Sequence, residues 1–326
     1  MNHPKVLVTP RSFRKMPGAH QELLRNAECE VINSPMDRPL EAAELADLLQ
    51  GIDAAILGVD DVSAAALEKA DRLKVISRYG VGVDRVDLEA ATARGIVVTN
   101  TPGGNANAVA ELTLAFMLAL ARNIPRQDRH IRAEDWSLLK GVELADRTLG
   151  MLGMGRIGRR VAELANVFGM RILFYDPYPP EAEFLGRVGA VSAGIEQVLR
   201  ESDFISLHLP LTSETRNIID AQALASMKNG AYIINTARGG LIDETALSIA
   251  LESGKIAGAA FDAFESEPSI GNPLITLENF ISTPHIGSST EQTTLRMGLM
   301  SAQNALAVLR GERPEHVVNP AVYSHT

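Results

Sequence analysis

Residues 147–177 read RTLGMLGMGRIGRRVAELANVFGMRILFYDP, and this stretch decides the fold class. An apolar run, Thr148–Leu152, leads into Gly153, Gly155 and Gly158, and a helical pattern follows at once. In this G-x-G-x-x-G spacing the first glycine permits a tight turn, the second lets the backbone approach a pyrophosphate, and the third allows the helix to pack closely on the strand. The amino end of that helix offers unpaired N–H groups and a positive dipole end to phosphates.

An acidic residue completes the pattern. Asp176 ends the next predicted strand, 18 residues past Gly158, where a carboxylate can hydrogen-bond a ribose 2′-hydroxyl. A glycine motif alone is a weak signal, but here a strand, a helix and an acid stand in the required places. The Asp176 carboxylate would repel a 2′-phosphate, and the following Pro-Tyr-Pro supplies no cation. We therefore predict a dinucleotide site that takes NAD rather than NADP.

Outward from this motif, short apolar runs alternate with helical patterns. This alternation is typical of βαβ units, because parallel strands need a crossover connection. The first series of predicted strands is Lys5–Thr9, Glu30–Asn33, Ala54–Leu57, Val75–Ser77 and Ile96–Thr99. The second is Thr148–Leu152, Arg171–Tyr175, Phe204–Leu207, Tyr232–Asn235, Gly258–Phe261 and Phe280–Ser282. Predicted helices include Glu41–Leu49, Ala64–Lys69, Ala106–Ala121, Arg156–Phe168, Ala221–Met227, Glu244–Glu252 and Ser289–Leu309, with an extended tail at Val317–Val322.

Two series of strands predict two α/β domains, and a turn-rich break falls at Asn100–Asn105. The 326 residues fit this number, at ~100–200 residues per domain. The 46% apolar composition excludes a disordered or disulfide-stapled chain. The net charge of −9 argues against a broad nucleic-acid surface.

The sequence also predicts a soluble, cytoplasmic protein without a membrane partner. The single cysteine, Cys29, is expected to be reduced, and the N-terminus lacks the apolar core of a signal peptide. The apolar stretch Ala106–Ala121 is shorter than the ~20 residues that span a bilayer. No His, Cys, Asp and Glu residues stand at metal-ligand spacing, so we predict no metal site.

Three loops that follow predicted strands carry a set of groups suited to hydride transfer on a hydroxy acid. Arg238 can hold a carboxylate in bidentate fashion, His285 can move a proton near neutral pH, and Glu267 can orient the imidazole. Taken singly, each residue is more often structural. Their joint placement after consecutive strands favours a functional interpretation, because ligands of open α/β sheets lie beyond the carboxyl ends of the strands. His208 also follows a strand, and there a structural role and a place at the cofactor are equally expected.

At this point the sequence resembles the D-isomer-specific 2-hydroxyacid dehydrogenase family along essentially its whole length. The stretches that carry the resemblance are RYGVGVD (78–84), NTPGGNANAVAE (100–111), GMGRIG (153–158), HLPLT (208–212), NTARGG (235–240), DAFESEP (262–268) and TPHIGSS (283–289). The resemblance implies two Rossmann-like, doubly wound parallel-sheet domains. A flavodoxin-like substrate domain would comprise residues 1–100 plus 288–326, and the inserted NAD-binding domain residues 101–287. It further implies a homodimer with Ala106–Ala121 at the interface.

The resemblance also assigns site residues. Catalytic roles fall on Arg238, Glu267 and His285. Cofactor contacts fall on Gly153, Gly155, Arg156, Ile157, Gly158, Asp176, His208, Pro210, Thr236, Ala237, Arg238, Asp262, His285, Gly287 and Ser288. Substrate contacts are expected at Arg78, Tyr79, Val81, Gly82, Arg238 and His285. A substrate phosphate and a neighbouring carboxylate are equally expected as the partner of Arg78, and Tyr79 is expected to make the pocket narrower or more polar than is common.

The implied activity is NAD-dependent interconversion of a D-2-hydroxy acid and its 2-oxo acid, most like 3-phosphoglycerate dehydrogenase or hydroxypyruvate/glyoxylate reductase. Formate and phosphonate dehydrogenases share the architecture, although formate dehydrogenases carry Gln where this chain has Glu267. An NAD-sensing, corepressor-like binding protein is a second alternative. Because the sequence ends soon after residues 317–320, we expect no C-terminal regulatory domain.

Overall fold

The computed structural model describes residues 3–325 and divides the chain into two compact units. Unit 1 combines the described residues up to Asn105 with those from Ser288 onward, and unit 2 is Ala106–Gly287. Every strand pairing within each unit is parallel. The predicted α/β class with two parallel sheets is therefore confirmed.

The strands are β1 Lys5–Val8, β2 Glu30–Asn33, β3 Ala54–Leu57, β4 Val75–Arg78, β5 Val97–Thr99, β6 Thr148–Leu152, β7 Arg171–Tyr175, β8 Ala190–Ser192, β9 Phe204–Leu207, β10 Ala231–Asn235, β11 Ile256–Phe261 and β12 Phe280–Ser282. The helices are α1 Arg11–Lys15, α2 Ala19–Asn26, α3 Ala42–Leu49, α4 Leu88–Ala93, α5 Ala106–Ala121, α6 Ile124–Arg132, α7 Arg156–Val167, α8 Ala182–Val188, α9 Ile195–Glu201, α10 Ala221–Ser226, α11 Glu244–Glu252 and α12 Glu291–Leu309. Two 3₁₀ turns cover Pro273–Thr276 and Pro320–His325.

Unit 1 has the sheet order β2-β1-β3-β4-β5, the flavodoxin-like arrangement. The central strand β3 is buried at all four positions, as expected for a parallel strand covered on both faces. Helix α12 packs on α2 and on β4, where the Ser77 hydroxyl donates to the Ser301 carbonyl at 2.9 Å. The long C-terminal helix thus belongs to the core of unit 1.

Unit 2 has the order β12-β11-β10-β9-β6-β7-β8. If β6 is numbered 1, the order read from β8 is 3-2-1-4-5-6, the Rossmann order, followed by one further strand, β12. The direction in which successive strands are added reverses between β6 and β9. Helix α5 packs on α7 and on β10 and β11, which buries most of its apolar residues. Within residues 3–325 no single helix has the length and apolar composition to cross a membrane; α5 and α6 pass that test only as a pair bent by 59°.

Two secondary-structure predictions are wrong. Ala64–Lys69 forms consecutive turns rather than a helix. The tail is extended only around Val317, which pairs with Thr99, and a 3₁₀ turn begins at Pro320, whose fixed φ suits the first position of a helical turn. Strand β8 was not predicted; only one of its three residues is buried, so it lacks the buried apolar run that marks the central strands of this sheet.

Candidate active site

The strand ends of unit 2 form one row across the sheet. Ser282 of β12 pairs with Phe261 of β11, which pairs with Asn235 of β10. The row continues through the last residues of β9, β6 and β7, which are Leu207, Leu152 and Tyr175. The loops that carry the predicted cofactor and catalytic residues of unit 2 therefore start at the same level on one edge of the sheet.

The glycine loop after β6 has the geometry that a dinucleotide requires. Gly153 has φ +100°, and a Cβ there would lie 2.6 Å from the His208 carbonyl oxygen. A Cβ on Gly158 would lie 2.4 Å from the Gly153 carbonyl oxygen. A Cβ on Gly155 would meet nothing within 4 Å, so open space lies in front of this residue. Because no side chain caps α7 at Gly155, the N–H groups of its first turn, which includes Arg156 and Ile157, are left for a phosphate.

Asp176 lies against this loop, at the end of β7. Its Oδ2 accepts a hydrogen bond from Met154 N at 2.6 Å, and its Oδ1 accepts one from Tyr178 N at 2.8 Å. These bonds fix the carboxylate beside the glycine loop. That is the position expected of an acid that selects an unphosphorylated ribose.

Arg238 lies on a turn built by the strand-end residue Asn235. The Asn235 side chain donates to the Arg238 carbonyl at 2.8 Å and accepts from Ala237 N at 3.1 Å. The Arg238 guanidinium donates to the Ala237 carbonyl at 2.8 Å. Gly239 has no room for a side chain, since a Cβ would lie 2.0 Å from the Phe264 carbonyl carbon.

Asp262 holds the turn that carries His285. Its carboxylate is 3% exposed and accepts three hydrogen bonds, from Thr283 Oγ1 at 2.6 Å, Ile286 N at 2.7 Å and Gly287 N at 2.8 Å. His285 itself has φ 54°, in the left-handed region that side chains rarely adopt. The structure thus gives Asp262 a supporting role in addition to the cofactor contact predicted for it.

His285 and Glu267 form a close pair. The Nδ1 atom of His285 lies 3.0 Å and 2.9 Å from the two carboxylate oxygens of Glu267. Glu267 Oε1 also accepts from Phe264 N at 3.0 Å, which turns the carboxylate back toward its own loop. The pair engages Nδ1, so the Nε2 atom is the one that can meet a substrate.

His208 is the other histidine predicted at this edge. Burial of its ring lowers the pKa of His208 to about 3, so the imidazole is neutral at physiological pH. Its Nε2 atom bonds the Ser206 hydroxyl at 2.9 Å, and its Nδ1 atom has no partner among residues 3–325. A neutral, desolvated ring is unsuited to moving a proton near neutral pH.

The other predicted contacts of unit 2 lie on the same edge. Pro210 is exposed in the loop after β9, and its carbonyl accepts from Thr215 Oγ1 at 2.7 Å. Thr236 is buried after β10, with its hydroxyl 2.8 Å from that of Thr113 on α5. Ser288, also predicted to contact the cofactor, belongs instead to unit 1, as the first residue of its C-terminal part.

In unit 1 the predicted substrate residues divide into two kinds. Arg78 is 9% exposed and donates to the Tyr79 and Leu57 carbonyls at 2.9 and 3.4 Å. The Tyr79 ring packs on Phe13 and its hydroxyl bonds Ser12, which makes this side chain part of the core rather than a pocket wall. The backbone N–H groups of Val81 and Gly82, in contrast, have no partner among the described residues.

Sequence reasoning missed three supporting residues. Asn235 shapes the Arg238 turn, and an Asn at a strand end before a glycine turn is a usable signal for such a role. The Thr113 hydroxyl forms a hydrogen bond with the Thr236 hydroxyl, although the two residues are 123 positions apart in sequence. Glu244, on the first turn of α11, accepts from Glu265 N at 2.9 Å. The last two contacts are distant in sequence and leave no local pattern.

A Rossmann sheet, a glycine loop open in front of Gly155 and an acid at the end of β7 define a dinucleotide-binding protein. Comparison with known proteins gives the family. The model described as D-isomer specific 2-hydroxyacid dehydrogenase, NAD binding domain, matches residues 114–287. The chain belongs to this family and acts on the CH–OH group of 2-hydroxy acids with NAD.

Individual relatives extend the match to the whole chain. The D-3-phosphoglycerate dehydrogenase of Methanocaldococcus jannaschii is 46% identical over 92% of this chain, which spans only 58% of that relative's length. The glyoxylate reductase of Aeropyrum pernix is 41% identical over 99% of this chain and 98% of its own. The crystal structure of D-lactate dehydrogenase from Aquifex aeolicus, complexed with NAD and lactic acid, is 31% identical, covers 96% of this chain and 99% of its own, and has a TM-score of 0.83.

The different surroundings of the glycines predict different effects of the same substitution. Gly155→Ala places a methyl group in open space at φ −71°, so we expect unchanged thermal stability and NADH affinity weakened roughly tenfold or more. Gly158→Ala presses on the Gly153 carbonyl and should lower the unfolding temperature instead. Fluorescence titration with NADH and thermal melting separate the two. A Gly155→Ala protein that binds NADH normally would contradict this assignment.

Proposed function

We propose that the protein reduces a small, unphosphorylated 2-oxo acid of the glyoxylate and hydroxypyruvate kind to the D-2-hydroxy acid. The observation that carries the proposal is the His285–Glu267 pair, with Nδ1 2.9 Å from the carboxylate, on the sheet edge that also bears the glycine loop. The full-length match to a glyoxylate reductase supports this substrate class.

The chain's own residues then act as follows. Arg238 binds the substrate carboxylate through two parallel N–H···O bonds. When bound, NADH supplies the hydride that reaches the carbonyl carbon. His285 Nε2 donates a proton to the oxo oxygen, so that a 2-oxo acid, a hydride and a proton give the hydroxy acid. Glu267 orients the ring through Nδ1 and favours the imidazolium form that donates.

The substrate contacts expected in unit 1 stay predictions. The N–H groups of Val81 and Gly82 have no partner among the described residues and remain able to donate to a carboxylate. Arg78 is assigned no substrate contact, because its guanidinium is buried and bonds carbonyl oxygens at the ends of β3 and β4.

A second candidate is oxidation of a phosphorylated substrate, favoured by the 46% identity to a D-3-phosphoglycerate dehydrogenase. Both candidates are tested by following NADH absorbance with a panel of 2-oxo acids that includes glyoxylate, hydroxypyruvate and phosphohydroxypyruvate. We expect kcat/KM to be at least ~10-fold higher for the unphosphorylated acids. Preference for phosphohydroxypyruvate would support the second candidate, and inactivity with the whole panel would sink the enzymatic proposal.

The role of His285 gives a separate prediction. His285→Ala removes the proton donor, and turnover should fall by ~10²–10⁴ because acid–base catalysis is lost. The control is His3→Ala, an exposed histidine of unit 1 that precedes β1. Thermal melting checks that both variants fold. Near-normal turnover of folded His285→Ala would remove the histidine from the mechanism.

We also propose that the chain forms a homodimer through α6 and the segment that follows it. Large apolar side chains are exposed here, including Trp136 at 80% and Leu138 at 92%, and such patches mark interfaces. Analytical ultracentrifugation of the wild type should give twice the 35.1 kDa chain mass. The double variant Trp136→Ser, Leu138→Ser should give the mass of the monomer. A monomeric wild type would refute the proposal.

The cytoplasmic location stays a prediction.

A further inference from the structure

We propose that Glu244 is a positioning residue for the proton-transfer pair, and that its carboxylate holds both ends of the loop that presents Glu267 to His285. This inference rests on the function proposed above for those two residues. Residues 265–272 form this loop, the acid loop.

Glu244 contacts the acid loop at its first and last residues. Its Oε1 accepts from Glu265 N at 2.9 Å, and its Oε2 accepts from Asn272 Nδ2 at 2.5 Å. The Asn272 side chain also accepts from Leu274 N at 3.0 Å, and Leu274 is fully buried. One carboxylate therefore joins the start of the acid loop to a point anchored in the core of unit 2.

The position of Glu244 on α11 suits an ionised carboxylate. The helix begins at Glu244, after Asp243 caps it by accepting from Ala246 N. A negative charge in the first turn is favoured by the positive end of the helix dipole. An ionised carboxylate only accepts hydrogen bonds, so it can take both loop donors at once.

The acid loop is held at its start, where Gly239 packs on the backbone of Phe264 and Glu265, and through Glu267 Oε1, which accepts from Phe264 N at 3.0 Å. It contains neither helix nor strand, and a cavity of about 390 Å³ lies between the loop and α11, lined by Glu244, Pro268 and Ile270 among others. The ion pair of Arg216 with Glu265 is 2.9 Å long, but both side chains are more than half exposed. Exposed ion pairs of this kind contribute little. The two bonds to Glu244 join the acid loop to α11 at both ends of the loop.

The two halves of the pair are held independently. Asp262 fixes the His285 turn through three hydrogen bonds, and none of them involves the acid loop. Loss of Glu244 would therefore leave His285 in place and let Glu267 move away from Nδ1. This should impair catalysis without disturbing the glycine loop.

The kinetic test uses Glu244→Ala, with Glu252→Ala as the matched control because Glu252 is exposed on the last turn of the same helix. We expect Glu244→Ala to lower kcat for 2-oxo acid reduction by about tenfold or more, with the KM for NADH unchanged. In a Glu267→Gln background the same substitution should change kcat less than about twofold, since residues that act through one another are not additive. An equal loss in both backgrounds, or no loss in the first, would overturn the proposal.

A second measurement does not depend on turnover. The imidazole of His285 is titrated by NMR in the unliganded protein, with its signal identified by its loss in His285→Ala. Glu244→Ala should move the titration midpoint to lower pH, because a nearby carboxylate favours the imidazolium, and Glu252→Ala should not. Glu244→Gln, which keeps one acceptor oxygen, should lie between them. An unchanged midpoint in both Glu244 variants refutes the positioning role of Glu244, whether or not the wild type is active. A wild type that reduces no 2-oxo acid refutes the proposed function and leaves the NMR test of Glu244 intact.

Discussion

The common register of the strand ends is the constraint on which the site depends. Because parallel strands lie ~4.8 Å apart and the ends of β12, β11 and β10 pair with one another, three loops leave the sheet side by side. Those loops carry Arg238, Glu267 and His285 from adjacent strands, although 47 residues separate Arg238 from His285 in sequence. A slip of any one strand would remove its residue from the group.

The loops themselves are stabilised by groups that take no part in the chemistry. Burial of an unpaired carboxylate raises the free energy of the folded state. The Asp262 carboxylate avoids this because it accepts three hydrogen bonds from residues 283–287. These bonds in turn hold His285 in a left-handed conformation, which costs on the order of 1 kcal/mol or more. The strain is local to the residue that the site needs, and the surrounding hydrogen bonds maintain it.

Much of this could be predicted from sequence because its signals are local. The glycine spacing around Gly155 and the alternation of strands and helices lie within short windows, and both gave the fold class correctly. The roles of Tyr79 and Glu244 could not be found in this way. The Tyr79 ring meets a hydroxyl 67 residues away at Ser12, and Glu244 meets side chains and backbone 21 to 28 residues away. Such contacts depend on packing between elements, which periodicity does not encode.

The contact at Gly239 has a consequence for how this enzyme can change. The backbone of the arginine turn touches the backbone at Phe264, with no space for even a methyl group between them. A side chain at this point would force the turn and the neighbouring loop apart. The residue proposed to bind the substrate carboxylate and the residue proposed to support proton transfer are therefore coupled mechanically, so a change of backbone at the arginine turn would also displace the loop that carries Glu267.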